Sequence, residues 1–452
     1  MRFTTEQEAI TYIFSTRDRM PNPPRGFDED VRDPSPTRRM LMQAGLNLEG
    51  REYVIITGSK GKGSTAAITA KLLQHLGHTV GLLTSPHLIH WYERIRVNGR
   101  MISQADFLRI LSAIAPVIDR EADQLTESQY LSPQGILLLV ALRYFDEQGV
   151  NAAVLEVGRG GRYDDVAMVP NKLALFTPII MEHAQYLGDT LERIAWHKSG
   201  IIKMGGYAYS VPQSAEVLEV LQREADAQDA EFYWLSTLDM PHYLGPTDDG
   251  LRFKLGRYGE CELSLLGRYQ LANAALAIQG VGNMHARLKG MPHASPEYVE
   301  AIRSGLADVR WPGRVHKLQD YPQVIVDGAV NVLSARSFLQ SVKERWTHPI
   351  VTVLGVPTDR DYPAVYETYA QHSDALIITN STINPRITFP DEDLALNTAR
   401  AYHHDVRYAE TLPAALEMAH AKAGTEGTIL MAVAQPLVGE AMQLWNIDMT
   451  QI

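Results

Sequence analysis

Short apolar runs of strand length alternate with amphipathic stretches along most of the chain. Glu52 to Thr57 (EYVIIT) is a β-branched run, followed by the glycine-rich GSKGKG, an amphipathic stretch from Ser64 to Leu76, and Thr79 to Thr84 (TVGLLT). This order predicts a βαβ unit. Ser103 and Asp106 have the spacing of a cap opening a helix over DFLRILSAIAPVI, and Gln134 to Gln148 predicts another helix leading into the strand AAVLEV. LALFTPI and TLERIAWHK continue the alternation, as expected for a doubly wound, mainly parallel α/β sheet. The segment ADVRWPGR, with Trp311 and Pro312, interrupts the periodicity and predicts a linker at residues 309–314 between domains spanning 1–308 and 315–452. In the second domain QVIVDGA, PIVTVLGV, DALIIT and GTILMAV are apolar runs separated by helical patterns, predicting a smaller Rossmann-like α/β unit. Near the start, two helical patterns flank a Pro-rich charged segment, MPNPPRGFDEDVRDPSP, which reads as a loop.

Composition narrows the classes. The 452 residues exceed one ordinary core, and 45% hydrophobic with 21% charged residues is typical of globular domains. A net charge of -11 disfavours a nucleic-acid partner, whose binding is dominated by Lys and Arg contacts to phosphate. The single Cys261 fits a reducing compartment, so a cytoplasmic location is expected. No secretory n-region opens the sequence and no run of about 18 apolar residues occurs, so no membrane partner is expected.

Gly58, Gly61, Lys62, Gly63 and Ser64 stand between a strand and a helix, where exposed amides and the helix dipole favour an anion. Glycines admit phosphate oxygens, Lys62 offers a point charge, and the Ser64 hydroxyl can reach Mg²⁺; the bland reading is a structural glycine turn. Lys60 reads as a solvated loop lysine or as added positive potential. Glu156 ends a strand where α/β sheets place ligand-contacting groups, and suits either Mg²⁺ or a salt bridge to Arg159 or Arg162. An isolated His183 is ordinarily a surface or core residue, and Lys198 at a helix end ordinarily complements the dipole.

TGSKGKGST followed by LLTSPHLIHWYERIRVNGRMIS resembles the folylpolyglutamate synthase and dihydrofolate synthase branch of the Mur ligases, with its GTNGKGST loop and TSPHL…ERI segment. VLEVGRGGRYD, HAQYLGDTLERIAWHKSGIIK, LLGRYQLANAALA and WPGR extend the likeness over most of the chain. The resemblance implies a phosphate-loop-containing Mur-ligase-like central domain and an ATP- and Mg²⁺-dependent ligase, expected to use two ions. In it the acid's carboxylate takes the γ-phosphoryl of ATP, and an amine then displaces phosphate to form an amide. The resemblance also implies roles. Lys62, Lys198 and His183 are the catalytic candidates, and Gly58, Gly61, Lys62, Gly63, Ser64, Thr65, Asn273, Arg314 and Asp327 the nucleotide contacts. Ser64, Ser85, Glu156, His183 and Lys198 are the metal site, with Lys198 matching a lysine that is carbamylated in much of the superfamily. Ser85 is preferred to His87 as the functional residue of TSPHL. Gln270 and Asn273 match an adenine-side HQ…N pattern, with Tyr269 where His is usual. Glu182 stands where DHxxxLG has Asp. The partners implied are a small-molecule acid and an amine or amino acid, and a monomer is expected.

The likeness frays in the second domain. DGAHNP reads Asp327, Gly328, Ala329, Val330, Asn331, Val332, and a GS pair near the C-terminus is replaced by AVAQPLVGE, with Gln435 and Pro436. Asp359, Asp361 and Arg386 remain at matching places, each open to a solvated-loop reading as well, with Arg386 a carboxylate partner for the amine if glutamate is retained. Two departures in one pocket predict a changed or lost acceptor amine and weak glutamate ligation. The alternatives are a relative using a non-folate acid or non-glutamate amine, a nucleotide-binding homologue without ligation, and an ordinary small-molecule kinase.

Overall fold

The computed structural model describes residues 2–20, 26–126, 129–290, 295–384 and 386–452; residues 21–25 of the Pro-rich segment lie outside them. Three sheets organise the chain. The first has eight strands: β1 (Glu52–Thr57), β2 (Val80–Leu83), β3 (Ile95–Val97), β4 (Arg100–Met101), β5 (Ala152–Glu156), β6 (Leu173–Phe176), β7 (Tyr207–Ser210) and β8 (Glu231–Trp234). Their order is β4-β3-β2-β5-β1-β6-β7-β8, parallel except where β3 and β4 turn back. β1 is fully central, so its residues from Tyr53 to Thr57 are all buried, and the near-continuous apolar run follows from packing on both faces. One face is covered by helices Lys62–His75, Gln270–Lys289 and Pro296–Asp308, the other by Gln104–Ala122 and Pro133–Glu147. The Ser103 hydroxyl accepts the Asp106 N–H at 3.0 Å, as the cap spacing predicts.

Parallel pairing fixes where the chemistry lies. Ile56 is level with Glu156 on β5, and Thr57 with Phe176 on β6. Three chain segments therefore leave the sheet side by side at one carboxyl edge: the glycine loop, Glu156 and the stretch leading to His183.

A small antiparallel sheet of β9 (His242–Pro246), β10 (Leu251–Leu255) and β11 (Gly259–Leu263) follows. The third sheet contains β12 (His316–Gln319), β13 (Gln323–Asp327), β14 (Ile350–Gly355), β15 (Ala375–Thr379), β16 (Val406–Ala409) and β17 (Thr428–Val433), in the order β12-β13-β17-β14-β15-β16. Only β12 is antiparallel. Asp327 is level with Ala432, so Val330 and Gln435 follow from the same edge. The last residues return to the first sheet, where the Met101 N–H donates to Thr450 O and the Ile452 N–H to Gly99 O.

The early region differs from the sequence reading. Helices Glu6–Asp18 and Ser35–Gln43 are joined by a third, four-residue helix, Asp28–Val31, inside the segment read as loop. Asp28 is buried there because Arg159 grips it at 2.6 Å, a partner 131 positions away. Among the described residues no helix is long and apolar enough to cross a membrane.

Candidate functional site

The loop after β1 is shaped by what its glycines allow. Gly58 and Gly61 have φ of 144° and 86°; a Cβ on the first would lie 1.9 Å from Thr177 Oγ1, and on the second 2.6 Å from Asn273 Oδ1. Gly61 caps the helix Lys62–His75, so the free amides of the first turn lie at the loop. Lys62 Nζ and Lys198 Nζ both donate to the Gly58 carbonyl, at 3.1 and 2.8 Å. Burial, and then the charge of Lys62, push the Lys198 ammonium down to about 7.

Glu156 is buried at the end of β5, its Oε2 accepting the Ser85 N–H at 2.9 Å. Burial pushes its carboxyl up; Lys62, the Ser85 N–H, Arg314 and Arg94 act in the opposite direction. The bland salt bridge does not form, because Arg159 holds Asp28 and Arg162 holds Glu224. Gly63 lies beside the carboxylate, and a Cβ there would be 3.5 Å from Glu156 Oε2 and 3.3 Å from Trp311. That close approach brings the linker tryptophan against the glycine loop.

Ser64 and Thr65 are buried in the first turn of the helix. Gln270 donates to Ser64 Oγ at 3.3 Å and accepts from Asn273 at 2.8 Å, so the two buried amides buttress the loop from below. Buried Tyr269 neighbours Asp327 and Arg314. Asp327 Oδ2 accepts the Val315 N–H at 2.8 Å; burial raises its carboxyl while Arg314 opposes that.

His183, in left-handed backbone with φ 56°, is partly exposed, and its Nε2 lies 3.2 Å from Glu182 Oε1. Lys60 is no free loop lysine: its Nζ lies 2.7 Å from Glu182 Oε2. Glu182 is held down at about 2 by His183, Lys60 and Lys62 against the opposing effect of burial. Sequence reasoning undervalued Lys60, since its partner stands in another motif. It also passed over Arg94, which donates to His87 Nδ1 at 3.0 Å and lies over the Trp91 ring at 4.3 Å. Burial, then Arg94, push His87 down to about 3, so it is a neutral acceptor.

The second-domain candidates are dispersed. Asp361 caps the helix Tyr362–Ala370, Asp359 pairs with Arg360, and Arg386 lies 5.8 Å over the Phe14 ring. Val330 packs on the second domain's core. Gln435 reaches across to the first domain, where its amide donates to the carbonyls of His87 and Leu88. Among the described residues no group of three His, Cys, Asp or Glu gathers as a metal site. The candidate metal set contains only two residues of those types, Glu156 and His183; a carbamate on Lys198 would supply a third anionic oxygen group.

Two family models match in tandem: the Mur ligase middle domain over residues 56–281, and the Mur ligase glutamate ligase domain over residues 313–434. The second runs through Val330 and stops one residue before Gln435. The dihydrofolate synthase/folylpolyglutamate synthase of Bacillus subtilis is 33% identical over 306 residues, covering 66% of this chain and 69% of that protein. The Mycobacterium tuberculosis enzyme of the same description is 30% identical over 414 residues, covering 86% and 82%. A structure of M. tuberculosis folylpolyglutamate synthase complexed with ADP and AMPPCP superposes with a TM-score of 0.83 at 25% identity, covering 98% of this chain and 100% of that one. These relatives do not favour the changed-acceptor reading drawn from Val330 and Gln435, nor a homologue without ligation.

Proposed function

The chain belongs to the folylpolyglutamate synthase/dihydrofolate synthase family of Mur ligases, and from that premise we propose that it joins glutamate to a folate-type acid. It is an ATP-dependent amide-bond ligase. The observation that carries the reading is the shared edge of β1, β5 and β6, where a glycine loop, two lysines on one carbonyl and a buried carboxylate lie together.

The residues fit a nucleoside triphosphate: a loop without Cβ atoms, helix amides, and the cations Lys62 and Arg314. They also fit divalent cations, because Glu156, Ser64 and Ser85 offer oxygen donors and Glu156 is buried without a direct cation partner. In this reading Mg²⁺ is held by Ser64, Ser85, Glu156, His183 and carbamylated Lys198, and neutralises phosphate charge when bound. Lys62 orients the transferring phosphoryl group, which passes to the acid's carboxylate to give an acyl phosphate and ADP. The amine attacks that carbonyl carbon, phosphate leaves, and the amine's proton is lost. Asn273 and Gln270 keep the loop in shape, and Asp327 holds the linker backbone beside Arg314. The Lys198 amine, pushed to about 7, is substantially neutral near physiological pH, the form that adds CO₂. A monomer acting in the cytoplasm, divided at residues 309–314, completes the proposal.

The test is ADP release across a panel of acids crossed with amino acids, with mass spectrometry of the product. Ligation of glutamate to dihydropteroate or tetrahydrofolate is expected. Product formed only with another acid or amine would overturn the assignment.

A further inference from the structure

The loop after β1 and the stretch after β6 are joined rung by rung beyond the end of the sheet. The Thr177 N–H donates to Thr57 O at 2.9 Å and the Ser59 N–H to Pro178 O at 2.7 Å. Ser59 Oγ donates to Ile180 O and accepts the Ile180 N–H, both at 3.1 Å. The Lys60–Glu182 pair at 2.7 Å is the last rung, and the other oxygen of Glu182 meets His183 Nε2 at 3.2 Å. Lys60 is about half exposed and Glu182 only 18% exposed, so the pair sits at the mouth of the site.

An ionised carboxylate is an acceptor only, so its partner nitrogen on His183 carries the proton. The proton on Nε2 leaves Nδ1 as the lone-pair nitrogen. We propose that Lys60 is a positioning residue of the phosphoryl-transfer site: it fixes Glu182, which holds the His183 ring by Nε2–H and presents Nδ1 to the reaction. A carboxylate that orients a functional imidazole through its second nitrogen is a general device for selecting the tautomer. Lys60 adds a mechanical link, since it lies two residues before Lys62 and ties the phosphate loop to the turn that carries His183. Glu182 thereby has a role distinct from metal binding, with one oxygen on each partner.

The inference rests on the ligase reading, and the test separates the two. Selective ¹⁵N-histidine labelling of the ligand-free protein, with His183 assigned by a His183→Gln variant, reads which ring nitrogen is protonated; ADP release is followed on the same samples. The parent should show Nε2–H. Lys60→Met should move the His183 resonances toward a tautomer mixture and lower kcat about tenfold or more, the scale typical of lost orienting partners. Lys60→Arg should restore both. An Nδ1–H tautomer in the parent would overturn the proposal, as would unmoved resonances in Lys60→Met or moved resonances with kcat within twofold of the parent. Absence of ADP release with any acid and amine in the parent would instead fault the ligase reading, leaving the resonances to decide the positioning role.

Discussion

The carboxyl edges of the two large sheets touch through His87 and Gln435, and they are furnished in opposite ways. At the first edge, two ammonium groups converge on one carbonyl, and a buried carboxylate takes a single backbone N–H. Its charges are poised for a ligand of opposite sign. At the second edge Val330 is packed into the core, Pro436 lies in the first helical turn, and Gln435 spends its amide on the other domain. The first edge is built for phosphate chemistry, whereas these residues of the second act through packing and domain placement. This accounts for the unusual letters at 330 and 435 without a change of acceptor.

Variants at the first edge should therefore be the most damaging. Lys62→Ala should lower kcat/KM on the order of 10³-fold, the upper range for loss of one preorganised charge partner, with the melting temperature nearly unchanged. ADP release and a thermal melt check this; equal ADP release would remove the loop from the mechanism. Glu156→Gln keeps an acceptor for the Ser85 N–H but removes the negative charge facing Lys62, Arg314 and Arg94. A loss of about 10²-fold and a raised Mg²⁺ requirement are expected, read by metal titration of the rate.

Lys198 should give a smaller, graded effect. Its amine titrates near 7, so the neutral fraction rises roughly tenfold between about pH 6 and pH 8. A carbamate resonance in ¹³C-bicarbonate should grow over that window and vanish in Lys198→Met. The sign for stability follows from the same lowering: the unfolded chain binds the extra proton, so the penalty is fully present below about 7 and is relieved as pH rises toward 10.5.

Much of the first edge was legible in the sequence, because local signals decide it. A β-branched run, glycines at the turn and an amphipathic helix place Lys62 and Ser64 without long-range information. Glu156 was legible as a strand end, although its freedom from Arg159 and Arg162 depended on Asp28 and Glu224 capturing them. Lys60 was misread because its partner Glu182 belongs to another motif, brought alongside only by the parallel pairing of β1 and β6. Gln435 was read as pocket lining because nothing local reveals a partner 348 positions away. The helix Asp28–Val31 was missed for the same reason: four residues carry no periodicity, and the ion pair of Asp28 with Arg159 anchors them.

The smallest effect belongs to the second edge, and it sharpens the comparison most. The Gln435 amide is the polar tie from the helix Gln435–Leu444 to the segment that follows Ser85. The surroundings show that the tie sits in a close contact. A Cβ on Gly439 would lie 2.2 Å from Leu88 O, and Leu88 and Ile89 pack on the second domain's core. Gln435→Ala removes a hydrogen bond worth about 0.5 to 1.5 kcal/mol net and leaves the apolar contact in place. The domains should stay associated with a closed population lowered by roughly twofold to tenfold. Phosphoryl transfer uses groups of the first edge and the linker, so ADP formation in a single turnover without amine should be within twofold of the parent. Amide formation needs the second domain to deliver the amine, so the KM for glutamate should rise by roughly that twofold to tenfold factor. Single-turnover ADP formation and steady-state glutamate titration, run side by side, separate the two steps. An equal loss in both would mean that the second edge shapes the phosphate site directly, and the division of labour drawn here would fail.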